Sequence, residues 1–136
     1  MIVESLRTWL TAQAAVTAII GTRAYPAQAP QRAALPMIVF TRESEDKYPA
    51  LDGTGGGTQL AAAEFDLECI AKTPAEASAL AAAVVAAIKD YQGAMGDDTC
   101  EAVMITDEYD GYQKPTEGSD NGRHVTTIEF QLQYFG

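Results

Sequence analysis

Residue types on which catalytic and metal sites depend are scarce in this sequence. Its 136 residues include one histidine, His124, and two cysteines, Cys69 and Cys100. Two thiols and one imidazole do not supply the four ligands of a structural zinc site, so we expect no metal and no cofactor. We interpret both cysteines as buried thiols in strands, and a disulfide would require that those strands are neighbours.

Basic residues and long apolar runs are also scarce. The 19 acidic and 9 basic residues give a net charge of −10 and a pI near 4.3. Such a chain repels phosphate backbones and anionic lipids, which argues against specific nucleic-acid binding and against membrane docking. No stretch reaches the roughly 20 apolar residues of a transmembrane helix, and residues 2–20 lack the basic start of a secretory signal. We therefore expect synthesis in the cytoplasm.

The length fits one domain, residues 1–136, and two segments have helical patterns. Residues 1–20 carry apolar side chains at three- and four-residue spacing, and Gly21 follows as a helix-ending residue. The second helix begins at Pro74, with Thr73 as N-cap and Glu76 completing a capping box. Leu80, Val84 and Ile88 form its predicted buried stripe, and the glycines at 93 and 96 end it.

The remaining patterns predict strands. Residues 37–41, 60–71, 100–107 and 124–135 are apolar or alternate between apolar and polar side chains, and residues 23–26 form a short extended piece. Because helices and strands do not alternate as βαβ units, the fold class is α+β. We predict an antiparallel or mixed sheet of four to five strands, with two helices on one face and a hydrophilic opposite face.

Two polar segments between the strands are candidates for partner binding. Residues 48–58 are rich in glycine and predict a hairpin tip, and residues 107–122 predict a long polar loop. Tyrosines in exposed loops often mark protein interfaces, although simple loop packing explains them equally well. The predicted partner-binding residues are Tyr48, Leu51, Leu60, Tyr109, Asp110 and Tyr112.

No pattern predicts catalytic residues. Glu64, Asp66 and Glu68 alternate along one strand and so point the same way, but no apolar pocket is predicted that would separate their pKa values. We interpret them as a solvated or interfacial acidic face. The glycine-rich residues 53–58 lack the lysine of a phosphate-binding loop, residues 107–110 lack a complete calcium loop, and His124 has no catalytic context.

The order of several short motifs resembles one protein family. Gly21-x-Arg23-x-Tyr25-Pro26 is followed by Pro30-Gln31 and by the strand at Leu35-Pro36-Met37-Ile38-Val39-Phe40. Helix 74–91 and the alternating strand at 130–135 complete the pattern. Over nearly its whole length, the chain resembles the tail-completion, or head–tail joining (tail terminator), proteins of long-tailed bacteriophages and gene transfer agents.

The resemblance implies a structural role in the virion tail. Family members form a ring, commonly a hexamer, at the head-proximal end of the tail tube, where they end tube polymerisation and join the tail to the head. The implied partners are further copies of the chain, the tail tube protein and the head–tail connector protein, with DNA passing through the ring. The family has no catalytic pattern. Contacts are expected in the 48–60 hairpin and the 107–121 loop.

Three other functions remain open from the residues. The chain is alternatively another minor head-completion or tail subunit, or a non-viral acidic adaptor or inhibitor of a basic partner. An enzyme with a site between subunits is the third reading, and it would require a pocket with convergent polar groups.

Overall fold

A computed structural model describes residues 2–30, 33–47, 60–114 and 122–135. The described residues form three helices and one six-stranded sheet. In chain order the elements are α1 (Ile2–Leu10), α2 (Ala14–Ile20), β1 (Ala24–Pro26), β2 (Met37–Lys47), β3 (Leu60–Ala71), α3 (Pro74–Ile88), β4 (Gly93–Met95), β5 (Asp98–Gln113) and β6 (Arg123–Phe135). None of the helices is long and apolar enough to cross a membrane.

The sheet is mixed, as the sequence predicted, but larger. Its strand order is β1-β2-β3-β6-β5-β4; β1 pairs parallel with β2, and every other pair is antiparallel. The α+β class is confirmed, whereas the prediction of four to five strands is wrong. The additional strand is β4, where Gly93 and Met95 pair with Cys100 and Asp98 at positions expected only to end a helix.

The predicted N-terminal helix is two helices, so the prediction of two helices in total is also wrong. Gln13 has extended backbone angles (φ −85°, ψ 112°) and is the N-cap of α2. Before it, the Thr11 hydroxyl donates to the Arg7 carbonyl oxygen at 3.0 Å, and the Gln13 side chain donates to the Trp9 carbonyl oxygen at 3.1 Å. Side-chain bonds of this kind compete with the helical pattern and help to end α1.

The segment predicted as a long loop, residues 107–122, is largely strand. β5 runs to Gln113 and pairs with β6 as far as Arg123, and residues 115–121 lie outside the described residues. The polar composition suggested a loop because residues 107–113 are exposed on both faces of the sheet. A strand with solvent on both faces has no apolar alternation, so its pattern does not distinguish it from a loop.

The main core lies between the helices and one face of the sheet. The Phe65 and Phe130 rings of neighbouring strands stack with centroids 5.6 Å apart, and the Phe40 ring lies 6.3 Å from that of Phe65. Helix α3 packs its predicted stripe here, and Leu80 and Ile88 are fully buried. All helices therefore cover the same face, which leaves the opposite face, hereafter the open face, without helices.

The proline-rich connection between β1 and β2 covers one end of the open face. Met37, Val39, Ile70 and Val125 form a second apolar cluster there. Tyr25 and Leu35 pack against this cluster. The segment predicted as a surface connection thus buries apolar side chains, and the open face is hydrophilic only beyond this cluster.

The Gly-x-Arg motif has a structural role. Gly21 follows α2 with φ +61°, a backbone conformation that favours glycine, and its N–H donates to the Thr17 carbonyl oxygen at 2.8 Å. The Arg23 side chain donates to the carbonyl oxygens of Pro36 (2.8 Å) and Ile19 (3.3 Å). One guanidinium group therefore joins the end of α2 to the start of β2.

The N-cap of α3 gives a direct test of the fold. The Thr73 hydroxyl accepts a hydrogen bond from the Glu76 N–H at 3.2 Å, as predicted from the sequence. We expect Thr73→Ala to lower the free energy of unfolding by about 1 kcal/mol, because it leaves one N-terminal donor unsatisfied. Thr73→Ser keeps the acceptor and is the matched control in urea denaturation. Equal midpoints for the two variants would contradict the cap.

Candidate partner-binding surfaces

The register of the sheet places the two candidate hairpins at opposite ends of the molecule. Leu60, which follows the β2–β3 connection, pairs with Phe135. Tyr112, near the β5–β6 connection, pairs with His124. These partners are eleven residues apart along β6, which corresponds to about 37 Å of strand. The predicted partner-binding residues therefore belong to two separate ends and do not form one site.

At the β5–β6 end, the three predicted residues lie on both faces of the sheet. Tyr109 pairs with Thr127 on the open face, and its side chain is 47% exposed. Asp110 and Tyr112 point to the helix side, where Asp110 accepts a 2.8 Å hydrogen bond from the Thr126 hydroxyl. The Tyr112 ring is 56% exposed and lies 5.0 Å from the His124 ring. His124 thus packs beside a tyrosine near the start of β6.

At the β2–β3 end, the structure describes only one of the three predicted partner-binding residues. Leu60 is the first residue of β3 and is partly buried. Tyr48 and Leu51 lie outside the described residues. On the helix side of this end, the buried Tyr134 hydroxyl donates to the Glu45 carboxylate, which links β6 to β2 across β3. Burial, followed by the hydrogen bond to Glu45 and then by the charge of that carboxylate, raises the pKa of Tyr134.

An acidic cluster occupies the middle of the open face. Glu64, Asp66 and Glu68 of β3 share this face, as predicted. The register adds carboxylates from three other strands, because Asp66 pairs with Glu129 of β6, and Glu129 pairs with Asp107 of β5. Glu43 of β2 also lies against Asp66. The sequence alone did not predict this convergence, since it depends on cross-strand pairing.

Asp66 is the electrostatic centre of the cluster. Its charge is the main cause of a raised pKa at Glu43. Burial and then the Asp66 charge raise the pKa of Glu68 and of Glu129. The pKa of Tyr109 is raised by burial, by Glu129 and by Asp66. Like charges held this close destabilise their own ionised forms, so the cluster opposes folding at neutral pH.

The cluster surrounds an open depression of about 380 Å³. Its lining includes Glu43, Glu64, Asp66 and Glu129, so its ionisable lining groups are all carboxyls. Within the described ranges, no three histidine, cysteine or acidic side chains are arranged to hold a metal ion. Among the described residues, the depression therefore presents negative charge and no basic side chain.

The cysteines are buried in strands, as predicted, and are far apart. Cys69 pairs with Thr126 and Cys100 with Tyr134, positions eight residues apart on β6. That spacing corresponds to about 27 Å, well beyond disulfide reach. Burial raises the pKa of Cys100 to about 11 and raises that of Cys69 further, so both thiols are protonated at neutral pH.

Comparison with known proteins defines the class and then the family. The fold matches a chain from a structure described as the virion of native gene transfer agent (GTA) particle, with a TM-score of 0.63 and 23% identity, covering 94% of this chain and 90% of that chain. At this identity the match establishes a shared fold. The model of the Tail completion protein gp17 family matches residues 4–133. The chain therefore belongs to this family and is a structural tail protein of a virion. A search of curated proteins finds no match.

The acidic cluster predicts that Asp66→Asn increases the stability of the fold in a pH-dependent way. Raised carboxyl pKa values contribute stability that is complete below the unfolded value, near 4.5, and is lost as the pH rises through the folded values. Removing the Asp66 charge lowers the pKa values of the neighbouring carboxyls in the folded protein. The urea midpoint should therefore rise above wild type at pH 7 and rise less at pH 4.

Glu4→Gln is the control, because Glu4 lies exposed on α1, away from the open face. A loss of stability in Asp66→Asn at pH 7, or the same change at both pH values, would contradict the repulsion.

Proposed function

We propose that this chain is a single-domain subunit of a ring, most simply a hexamer, at the head-proximal end of a tail tube. The ring ends polymerisation of the tube and joins the tail to the head–tail connector. Membership of the tail completion family supports the tail role. The formation of a ring, the number of its subunits and its position at the tail end go beyond family membership. We infer them from what a completion subunit must do.

The main support for this proposal is that the two hairpins lie at opposite ends of the sheet. A subunit that terminates one assembly and receives another needs two contact surfaces that do not compete for the same partner. The β2–β3 and β5–β6 connections leave the sheet at opposite ends, with about 37 Å of strand between them. We assign Tyr48, Leu51 and Leu60 to one contact surface, and Tyr109, Asp110 and Tyr112 to the other.

The charge of the chain supports passage of DNA through the ring. Each subunit carries a net charge of −10, and the open face concentrates carboxylates from four strands. A wall of this sign repels phosphates, so DNA would pass without being held. The same charge favours protein partners with basic surfaces on the tube and connector.

Deletion of the gene tests the proposed role. Filled heads beside detached tails of irregular length should appear by electron microscopy, and wild-type protein supplied in trans should restore joined particles. Irregular tail length reports termination, and detachment reports joining. Intact infectious tailed particles in the deletion would contradict a virion role and would favour an acidic adaptor. Detached tails of normal length would indicate another completion subunit.

The β5–β6 end can be tested separately with Asp110→Lys combined with Tyr112→Ala. Loss of an interface tyrosine and reversal of a charge typically cost more than 2 kcal/mol of binding, so joined particles should fall by more than about tenfold. The circular dichroism spectrum should stay native, because Tyr112 is exposed and Asp110 loses one side-chain hydrogen bond.

Ala82→Lys is the control for an added surface charge, since Ala82 is exposed in the middle of α3, outside both hairpins. Unchanged joining in the double variant, or equal loss in the control, would remove the assignment of this end.

A further inference from the structure

The two long strands next to the short outer strands, β2 and β5, are only partly covered on their outer sides by described strands. On one side, β1 pairs with β2 at Ile38–Phe40, and residues 41–47 continue beyond it. On the other side, β4 pairs with β5 at Asp98–Cys100, and residues 102–113 continue beyond it. In the part of the chain that the structure describes, no strand lies on the outer side of these two stretches. Each stretch therefore presents backbone donors and acceptors to a further strand.

The two stretches occupy overlapping positions along the strand direction. Ser44 pairs with Glu64, Glu64 with Gln131, and Gln131 with Met104, so Ser44 and Met104 lie in one row. In the same way Asp46 and Ala102 lie in one row, through Ala62 and Gln133. Side chains in one row point to the same face of a pleated sheet. Joining the two stretches at equal height therefore keeps the open face on one side.

The strand directions fit a repeated contact between copies. Three antiparallel steps separate β2 from β5, so these two strands run in opposite directions. A second copy in the same orientation therefore brings its β2 antiparallel to the β5 of the first. A contact between two different surfaces of identical copies repeats around an axis and closes a ring when the rotation permits.

The composition of the two edges distinguishes this contact from other pairings. Residues 102–106 are Ala-Val-Met-Ile-Thr, without a charge or proline, and Met104 is 57% exposed. Natural edges that stay in water are usually protected by charges or proline, so this edge is suited to a covering strand. The β2 edge, by contrast, carries two basic and three acidic residues at 42–47 and a bulge between Arg42 and Ser44, so pairing it with a second β2 would oppose like charges, whereas the uncharged β5 edge opposes none. Pairing β5 with another β5 would instead close a dimer.

We infer that adjacent copies join by antiparallel pairing of residues 44–46 in β2 of one copy with residues 102–104 in β5 of the next. This inference rests on the ring of the proposed function and specifies the contact that builds it. The paired sheets form one wall, and the carboxylates of every open face lie on the same side of it.

Disulfide trapping tests this register. Directly opposite residues of an antiparallel pair have Cβ atoms about 4.5–5.5 Å apart, close to the spacing that a disulfide spans. Ser44→Cys combined with Met104→Cys places two such thiols across the inferred contact. Within one copy the two positions are three strand spacings apart, about 14 Å, so a bond inside a single chain is excluded.

The double variant is produced in the reducing cytoplasm, and purified particles are then oxidised with diamide. The expected result is a ladder of covalent multimers on a non-reducing gel, which collapses to monomer with dithiothreitol. Each single variant should stay monomeric. The displaced pair Thr41→Cys and Ala102→Cys should also stay monomeric, because their rows, through Glu129 and Gln133, are four residues apart on β6, about 13 Å.

Monomer alone from particles that contain the double variant would overturn the contact while leaving the tail role intact. An equal ladder from the displaced pair would overturn the register. Absence of the wild-type protein from particles would overturn the proposed function, and this contact with it.

A second pair of variants decides the matter if the double variant does not enter particles. Met104→Asp and Met104→Asn have nearly the same shape and differ in charge. In the inferred pairing, position 104 lies opposite Ser44 and diagonal to Asp46 of the next copy, so a carboxylate there adds a like-charge contact of about 1 kcal/mol. The Asp variant should therefore enter particles about fivefold less than the Asn variant. Equal incorporation of the two would overturn the contact.

Discussion

The structure depends on one constraint: its sheet is covered by helices on a single face. The three phenylalanines at positions 40, 65 and 130 and the α3 stripe bury the centre of that face. The other face must then be compatible with water or with a partner protein. At one end the proline-rich segment covers an apolar cluster. In the middle, carboxylates keep the face exposed, although their mutual repulsion opposes folding.

The pairing of the strands determines which side chains and which connections lie together on the surface. The strand register brings acidic side chains from four strands together around Asp66. It also places the two hairpin connections at opposite ends of the sheet. Among the described residues, it also leaves residues 41–47 of β2 and 102–113 of β5 without an outer neighbour, at overlapping positions along the strand direction. In the proposed ring, the two ends contact different partners, the acidic face forms the wall, and the two edges contact neighbouring copies. These are the surfaces that a ring joining two assemblies requires.

The sequence predicted the parts of the fold whose patterns arise locally. The Thr73 cap, the Leu80–Val84–Ile88 stripe and the alternation in β3 follow from neighbouring residues, and each was confirmed. The strand β4 and the extension of β5 depend on pairing with other strands. The break near Gln13 involves side-chain hydrogen bonds, so apolar periodicity missed all three. The described site residues of β5 are exposed as expected, but they divide between two faces because alternation acts on them too. Their role in partner binding remains a prediction.

The central claim is that this chain closes the head-proximal end of a tail, with its two hairpin ends facing different assemblies. Cryo-electron microscopy of the complete particle tests it most directly. The account predicts one ring of this subunit between tube and connector, with the β2–β3 end and the β5–β6 end on opposite sides of the ring. Copies distributed along the tube, or a ring at the distal tip, would contradict it.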